Sequence, residues 1–406
     1  MKTKTFFNLS RLKHLLFLAY LAAAVITVRL IDIQFISHNR YTQAAEQNRT
    51  QILYQTAPRG RILASGGELL AGNQPAFSLY YLPAFEESSQ DYMESLSSDM
   101  ANYLGEDKAK LLKLLKKANK SGKAIALARN ISPKKAFSFA ELQSYYSGLY
   151  LLEETKRYYP SGAFAAHLLG YMGTMDNKFW ALRDDSLDYR LNSKIGKSGI
   201  EKRYETELKG RDGGLFLEVD YMGRVKKKIK DNQWRAGADI YTTLDYKVQK
   251  AAEDGIKNSV TGRGAAVVLN PKNGAVLAMV SAPDFDPNIF MPFSDEETKQ
   301  SKSIPEYNLA IQGLYPPAST FKTITAIAGL ETGRLNPEEE TTCNGKVYMN
   351  GREFKCWKKH GPHIDLWEGM GQSCDVYFYE LGGKVGASHI EKIQRKFRFG
   401  RQTGID

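Results

Sequence analysis

Residues 265–281 read AAVVLN-PKNG-AVLAMVS, and the reading of this stretch decides the fold of the second half of the chain. Two apolar runs, Ala265–Asn270 and Ala275–Ser281, flank a turn at Pro271–Lys272–Asn273–Gly274. Asn-Gly between such runs is a strong hairpin signal, because both residues tolerate the backbone that a tight turn needs. Neither run alternates, so both faces of this sheet are expected to be covered. Working outward, Thr320–Glu331 is helix-forming after a proline-rich lead-in. On the other side, Tyr246–Asn258 has helical periodicity with Val248, Ala251, Ala252 and Ile256 on one side, and Ala238–Leu244 reads as a short strand. Composition shifts near Gly237, so a sheet backed by helices is expected over 237–406.

Residues 37–236 mix short strand-like and helical runs without repeats, a mixed α+β pattern. Ala57–Arg61 reads as a turn between extended pieces. Asp107–Lys120 is a basic amphipathic helix with Leu111, Leu112, Leu114 and Leu115 on one face; its lysines are read as a solvated face rather than a lipid-docking one. At roughly 150 residues per domain, 406 residues give two to three domains. The chain is 42% hydrophobic and 25% charged, which is globular composition. Its mean hydropathy of −0.42 excludes a polytopic membrane protein. Three cysteines exclude a disulfide-dense scaffold. The net charge of +11 suits nucleic acid, an anionic membrane or an acidic polymer equally well, and decides nothing alone.

The front of the chain narrows that choice. Leu15–Val28 is uncharged, and Lys2, Lys4, Arg11 and Lys13 precede it with no acidic residue among 1–14. Arg29 can snorkel, and Leu30, Ile31, Ile33, Phe35 and Ile36 extend the apolar pattern to the ~20 residues a span requires. A cleaved signal peptide fits less well, since Ala22–Ala24 lies inside the apolar run and not after it. The expectation is an uncleaved anchor at 15–36, with 1–14 cytoplasmic and the bulk outside, in a bacterial periplasm. Nucleic acid is then not an expected partner. No GxxxxGK[ST], no strand-associated GxGxxG and no HExxH occurs.

The chemistry is carried by Tyr315–Pro316–Pro317–Ala318–Ser319–Thr320–Phe321–Lys322. Two prolines are expected to give an extended approach and release the chain into a helix at Ser319. There the hydroxyl stands beside unpaired helix N–H groups that suit a developing oxyanion. Lys322 lies one helical turn on, where a neutral amine can act as the serine's base. With a reference pKa of about 10.4, that amine needs burial or nearby cations to lose its proton. S-x-x-K alone is weak, because a capped helix start with an exposed lysine gives the same tetrapeptide. A second serine motif, Ser373–Cys374–Asp375 before Val376–Tyr377–Phe378–Tyr379, shifts the weighting. Gly371–Gln372–Ser373–Cys374–Asp375 lacks the final Gly of a nucleophile elbow.

Together these motifs resemble a class B penicillin-binding protein, whose serine set is S-x-x-K, S-x-N and K-T-G. The resemblance covers nearly the whole chain. Arg59–Gly60–Arg61–Ile62 and Glu68–Leu69–Leu70–Ala71 resemble the family motif after the anchor, although Ser65–Gly66–Gly67 departs from its D-R-N-G. Arg157–Tyr158–Tyr159–Pro160, Ala166–His167–Leu168–Leu169–Gly170–Tyr171, Gly196–Lys197–Ser198–Gly199–Ile200–Glu201 and Tyr204–Glu205 resemble the pedestal motifs, in which His167 is structural. Asp375 in place of Asn, and Phe354–Lys355–Cys356–Trp357, resemble the elongation type, penicillin-binding protein 2.

The resemblance implies a pedestal (dimerisation) domain over 37–236 and the first part of a transpeptidase domain, serine β-lactamase-like, over 237–406. It implies acylation of Ser319 by the penultimate D-Ala of a D-Ala-D-Ala stem pentapeptide. In that reaction Lys322 is the base, Ser373 a proton relay and Asp375 an orienting group. A neighbouring stem then resolves the acyl-enzyme, forming a peptidoglycan crosslink. β-Lactams would acylate Ser319, and the implied partners are a membrane glycan polymerase of the SEDS family and elongation-complex proteins. No cofactor is required. Zinc is conceivable at Cys343, Cys356, His360 and His363, a Cys343–Cys356 disulfide and free thiols being the alternatives. Cys374 reads as a small buried filler.

No K-T-G follows Ser373; Lys197–Ser198–Gly199 precedes it, and Gln402–Thr403–Gly404 lacks the cation. A form ending at Asp406 is therefore expected to be truncated and inactive, to take up no fluorescent penicillin, and to leave the 265–281 hairpin with an open edge and an exposed apolar face. A membrane-anchored scaffold for a polymerase, without catalysis, is the rival reading. A penicillin-sensing or penicillin-hydrolysing relative is a third.

Overall fold

The structure is a computed structural model that describes residues 9–41, 50–83, 89–142, 145–146, 148–183, 189–190, 193–220, 225–291 and 305–405. Two compact units, Met1–Ala310 and Ile311–Asp406, make up the chain.

Helix α1 (Leu9–Ile31) runs into a π-helical turn, Asp32–Ile36. Leu16–Ile36 is 21 residues of mean hydropathy 2.1 with no buried share, long and apolar enough to cross a membrane. Arg29 does not stand alone in it. Its guanidinium bonds Asp32, three residues on, and donates to the Tyr41 hydroxyl at 2.9 Å.

The pedestal region is built on β3 (Leu69–Tyr81), which pairs with β2 (Ile62–Leu63), β4 (Ile125–Ile131) and β5 (Leu149–Tyr158). A second sheet has the order β1 (Thr50–Gln55), β8 (Gly213–Val219), β9 (Val225–Asn232). Between β5 and β8 lie the paired short strands β6 (Met172–Thr174) and β7 (Lys194–Gly196). Against β3 pack α2 (Gln90–Leu104) and α3 (Lys108–Ser121), which share a core with Leu79 and Tyr81. The sequence dictates both ends of each helix. Ser89 and Asp107 accept from backbone N–H groups of the first turn, while Gly105 and Gly122 close in the left-handed region. In α3 only Leu111, Leu115 and Ala118 are buried; Leu112 and Leu114 flank them, because one helical face admits only positions spaced by three or four.

The motif residues of this region meet in one buried ion network. Arg59 donates to Glu201 and Glu205, and Arg157 Nε donates to Glu201, each at 2.6 Å. The Tyr189 hydroxyl satisfies the remaining oxygen, Glu205 Oε1, while the Tyr159 hydroxyl and the Gly196 N–H add second bonds to Glu201 Oε1 and Glu205 Oε2, at 2.9–3.1 Å. Burial alone would push the Glu201 carboxyl up, but Arg157 and Arg59 outweigh it and hold it below the ordinary value. Gly60 is required here by close approach. A Cβ on it would stand 1.8 Å from the Ala238 carbonyl oxygen. His167 meets the Pro305 carbonyl at 2.6 Å and the edge of Phe285, and burial lowers its pKa; it is a packing residue.

Strand β10 is only Ile240–Tyr241, parallel to β2, shorter than the 238–244 run because its pairing ends with the two-residue β2. Helix α4 (Tyr246–Lys257) is capped by Asp245. Its buried positions are Gln249 and Glu253, not the Val248–Ala251–Ala252–Ile256 face that apolarity suggests. Gln249 acts as a backbone mimic, accepting from Met279 N–H at 2.8 Å and donating to its carbonyl at 3.2 Å. The expected hairpin forms, β11 (Gly264–Leu269) against β12 (Val276–Ala282), with Gly274 at φ +73°. Its two strands differ in cover. β12 is buried along Ala278–Ala282, whereas β11 alternates and leaves Val267 and Leu269 exposed. The expectation of full cover therefore fails for β11, which pairs on one side only among the described residues.

The second unit packs α5 (Lys322–Glu331) against α7 (Asp375–Val385) and α8 (Ala387–Lys396). Two small sheets complete it, β13 (Thr341–Cys343) with β16 (Gly361–Ile364) and β14 (Lys346–Met349) with β15 (Arg352–Lys355). A short helix, α6 (Leu366–Gly371), follows β16. Ile324, Ala328, Cys343, Cys374, Val376 and Leu381 are part of its core.

Candidate active site

The second unit brings Ser319, Lys322, Ser373 and Asp375 together. The local path differs from the sequence expectation. Pro317 is helical, at φ −67° and ψ −21°, because proline fixes φ and leaves ψ free. A single 3₁₀ turn, Ala318–Phe321, carries Ser319, and the α-helix begins only at Lys322. Ala318 stands at φ +48° and Ser373 at φ +54°, left-handed values that cost a non-glycine residue about 1–3 kcal/mol. The strain thus sits beside one reacting hydroxyl and on the other.

Lys322 Nζ donates to Asp375 Oδ1 at 2.7 Å, to the Ser373 carbonyl at 2.8 Å and to Ser373 Oγ at 3.0 Å. Ser373 Oγ in turn donates to Ser319 Oγ at 3.0 Å. The contact from amine to exposed nucleophile therefore runs through the second serine. The Phe378 ring lies 5.6 Å from the ammonium and walls it on one side. Asp375 opens α7, where a carboxylate is favoured by the helix dipole. This constellation is able to pass a proton between two hydroxyls and an amine over hydrogen-bond distances.

Behind the second serine lies a thiol cluster. Ligand atoms of Cys343, Cys356, His360 and Cys374 all fall within 4.8 Å of one another, and the three cysteines are free. His360 Nδ1 is 3.4 Å from Cys343 Sγ and 3.6 Å from Cys356 Sγ; its Nε2 meets the Gln372 carbonyl at 3.2 Å. Asp375 N–H donates to Cys356 Sγ at 3.2 Å. Burial pushes the Cys374 thiol up to about 12. Burial also acts upward on Cys356, but N–H groups of Asp375, Val376 and Lys358 reverse it, and the net shift is downward. Two expectations change. Cys374, fully buried in the core as expected, is in addition a member of the cluster, and His363 lies outside it, exposed and bonded to Glu340 at 2.6 Å. Sequence spacing hid Cys374 because its signal was already absorbed by the serine motif.

Residues 54–242 match the penicillin-binding protein dimerisation domain and residues 264–406 the penicillin-binding protein transpeptidase domain. The chain belongs to the penicillin-binding protein family. It is 31% identical over 396 residues to the peptidoglycan D,D-transpeptidase MrdA of Acinetobacter baumannii, covering 96% of this chain and 58% of that protein. Against MrdA of Escherichia coli K12 the figures are 30%, 95% and 62%. The chain thus spans about 60% of the length of these curated relatives. Among solved structures, the complex of penicillin-binding protein 2 with MreC from Helicobacter pylori superposes with a TM-score of 0.72 at 25% identity, covering 87% of this chain and 66% of that one. As a penicillin-binding protein, the chain carries the pedestal ion network and the serine–lysine–serine contact on separate units.

Proposed function

We propose that these residues supply the nucleophile, base and relay of an elongation-type peptidoglycan D,D-transpeptidase. The single observation that carries this is the unbroken contact from Lys322 Nζ through Ser373 Oγ to Ser319 Oγ, at 3.0 Å per step. Once Lys322 has given up a proton and the two hydroxyl hydrogen bonds have reversed, Ser319 Oγ attacks the carbonyl of the penultimate D-Ala and passes its proton by way of Ser373 to the amine. The C–N bond breaks, Lys322 returns the proton to the leaving D-Ala nitrogen, and an ester remains on Ser319. An amine of a second stem then attacks that ester, forms the crosslinking amide and gives its proton back to the serine. A β-lactam acylates Ser319 in the same geometry, its ring C–N bond opening as the ester forms and its nitrogen taking the proton from Lys322. The test is made on membranes that contain the chain extended to the length of its curated relatives, treated with a fluorescent penicillin. Label is expected on the peptide bearing Ser319 and absent from Ser319→Ala. Label at another residue, or none while other penicillin-binding proteins in the same membranes react, overturns the reading.

The apolar helix supports a single-pass inner-membrane anchor with residues 1–14 cytoplasmic and the bulk periplasmic. A membrane glycan polymerase and elongation-complex proteins are the partners proposed with it. One structural neighbour is a complex of penicillin-binding protein 2 with MreC, and another, at a TM-score of 0.63, is described as a peptidoglycan synthase complex. External protease should remove the bulk of the chain from spheroplasts and spare residues 1–14; full protection overturns the topology.

We also propose zinc at Cys343, Cys356, His360 and Cys374, a Cys₃His donor set of the structural type, in place of a set including His363. With Nδ1 as ligand, His360 keeps Nε2–H for the Gln372 carbonyl, which fixes its tautomer. The ion would tie Cys374 to the loop on either side of Ser373. One zinc per chain by elemental analysis, lost in Cys374→Ser, is expected; a metal-free purified chain overturns it.

A further inference from the structure

A pocket in the unit 1–310, within the pedestal and separate from the serine site, is rich in cations. Its volume is about 620 Å³, the size of a small-ligand site. Arg59, Arg129, Arg157, Arg190, Lys194 and Lys209 line it, against only two carboxylates, Glu154 and Asp212. The charges do not cancel. Arg59 and Arg157 are matched by Glu201 and Glu205, which do not line the pocket, and Arg190 is matched by Asp212 at 2.5 Å. Arg129, Lys194 and Lys209 remain, opposed by Glu154, whose oxygens accept from the Ser78 and Tyr80 hydroxyls. Among the described residues the wall holds two positive charges in excess.

Its donors are also incompletely used. Arg157 Nη2 and Lys209 Nζ are buried with no hydrogen-bond partner among the described residues. Lys209 has only the Tyr189 ring, 4.9 Å away. A buried donor left unpaired costs free energy, and more so when it is charged. Lys194 donates to Thr174 at 2.9 Å and is accessible to water, yet burial among neighbours, then Arg129, depresses its pKa. Accessible and partly desolvated at once is the condition of a group inside a concavity. The lysines of β9 make a contrast, since 225–231 are all exposed and Lys227 and Lys228 pair with Glu218 and Asp231.

We propose that this pocket binds a phosphate or diphosphate group, with Arg129, Lys194 and Lys209 as charge partners and Arg157 Nη2 as a fixed donor. Guanidinium and ammonium groups make short charge-assisted bonds to phosphate oxygens. A lone phosphate fills only part of the volume, which favours a diphosphate or a phosphosugar.

The test is calorimetric titration of the full chain in detergent with inorganic pyrophosphate at constant ionic strength. Saturable binding is expected, weakened roughly tenfold or more in the Arg129→Gln/Lys194→Gln double variant and unchanged in Lys227→Gln/Lys228→Gln on β9. Lys194→Arg, which keeps the charge, is expected to retain binding. If the double variant melts lower than the parent, Arg129→Gln alone, an exposed side chain, carries the comparison. A parallel titration with geranyl diphosphate separates sources. Tighter binding than pyrophosphate assigns a lipid-linked diphosphate, and equal binding a soluble one. No saturation by about 10 mM, or an equal loss in the β9 variant, overturns the proposal.

Discussion

The two units each hold a cluster of cations and carboxylates, and they use it oppositely. In the pedestal, Arg59, Arg157, Glu201 and Glu205 are each at most 8% exposed, and every carboxylate oxygen has a partner. Around Lys322 and Asp375 the side chains remain 12% and 26% exposed, and the contact ends on an exposed Ser319 hydroxyl whose bond is to Ser373. Similar chemistry gives a clamp when its carboxylates are saturated and buried. It gives a reactive group when one end is left open. Substitutions that break each cluster should therefore report on different quantities, one on acylation rate and the other on stability.

The largest effect belongs to the open end. Ser319→Ala removes the only atom that the proposed acylation can modify, so covalent penicillin uptake should vanish with the melting midpoint unchanged. Next comes Ser373→Ala, which cuts the contact between Lys322 and Ser319 while leaving the Ser373 carbonyl in place for Lys322. Loss of a positioned proton-transfer group costs about 10²- to 10⁴-fold in rate. Stopped-flow acylation should show that slowing without loss of fold. An unchanged rate would mean that Lys322 reaches Ser319 directly, with no relay between them, and the contrast between the two regions would narrow.

The buried cluster should respond through stability and not through acylation rate. Glu201→Gln leaves Arg157 and Arg59 buried with one charge partner removed, a change that costs about 3–5 kcal/mol. Urea unfolding of the purified chain measures it. The same carboxylate sets a pH dependence. Its folded pKa lies below the ordinary 4.5, so its stabilisation is present above that value and is lost as pH falls through the folded one. The parent should lose stability on acidification below about pH 4.5, and Glu201→Gln should show a flatter profile in that window. Parallel profiles would assign the acid sensitivity elsewhere.

The contrast also marks what was legible in the sequence. Turns and helical periodicity are local, and so the 265–281 hairpin and the helices read at 107–120, 246–258 and 320–331 follow from neighbouring residues alone. The four residues Ser319, Lys322, Ser373 and Asp375 could be named, but not their wiring. The left-handed backbone of Ala318 and Ser373 has no sequence signal, since neither is a glycine. Gln249 and Glu253 were hidden for another reason. Their burial is decided by Met279 and by the Ala165 N–H, 30 and 88 residues away, which no periodicity reveals. Cys374 joins a cluster with residues 14 to 31 positions upstream through the fold of a small sheet, and His363 leaves it because β16 turns that ring to Glu340.

The smallest effect tests whether exposure is what separates the clusters. Lys396 on α8 bonds Glu331 at the end of α5, the helix that begins at Lys322, with side chains 53% and 47% exposed. Both charges keep most of their hydration, and holding two long side chains in one geometry costs entropy. Lys396→Ala should therefore change unfolding free energy by no more than about 1 kcal/mol and leave acylation untouched. It holds the far end of α5, the helix that carries Lys322, so proximity to function is not the variable. A loss approaching that of Glu201→Gln would show that this pair positions α5, and the line between a buried clamp and an open site would have to be drawn by helix docking instead of by solvent.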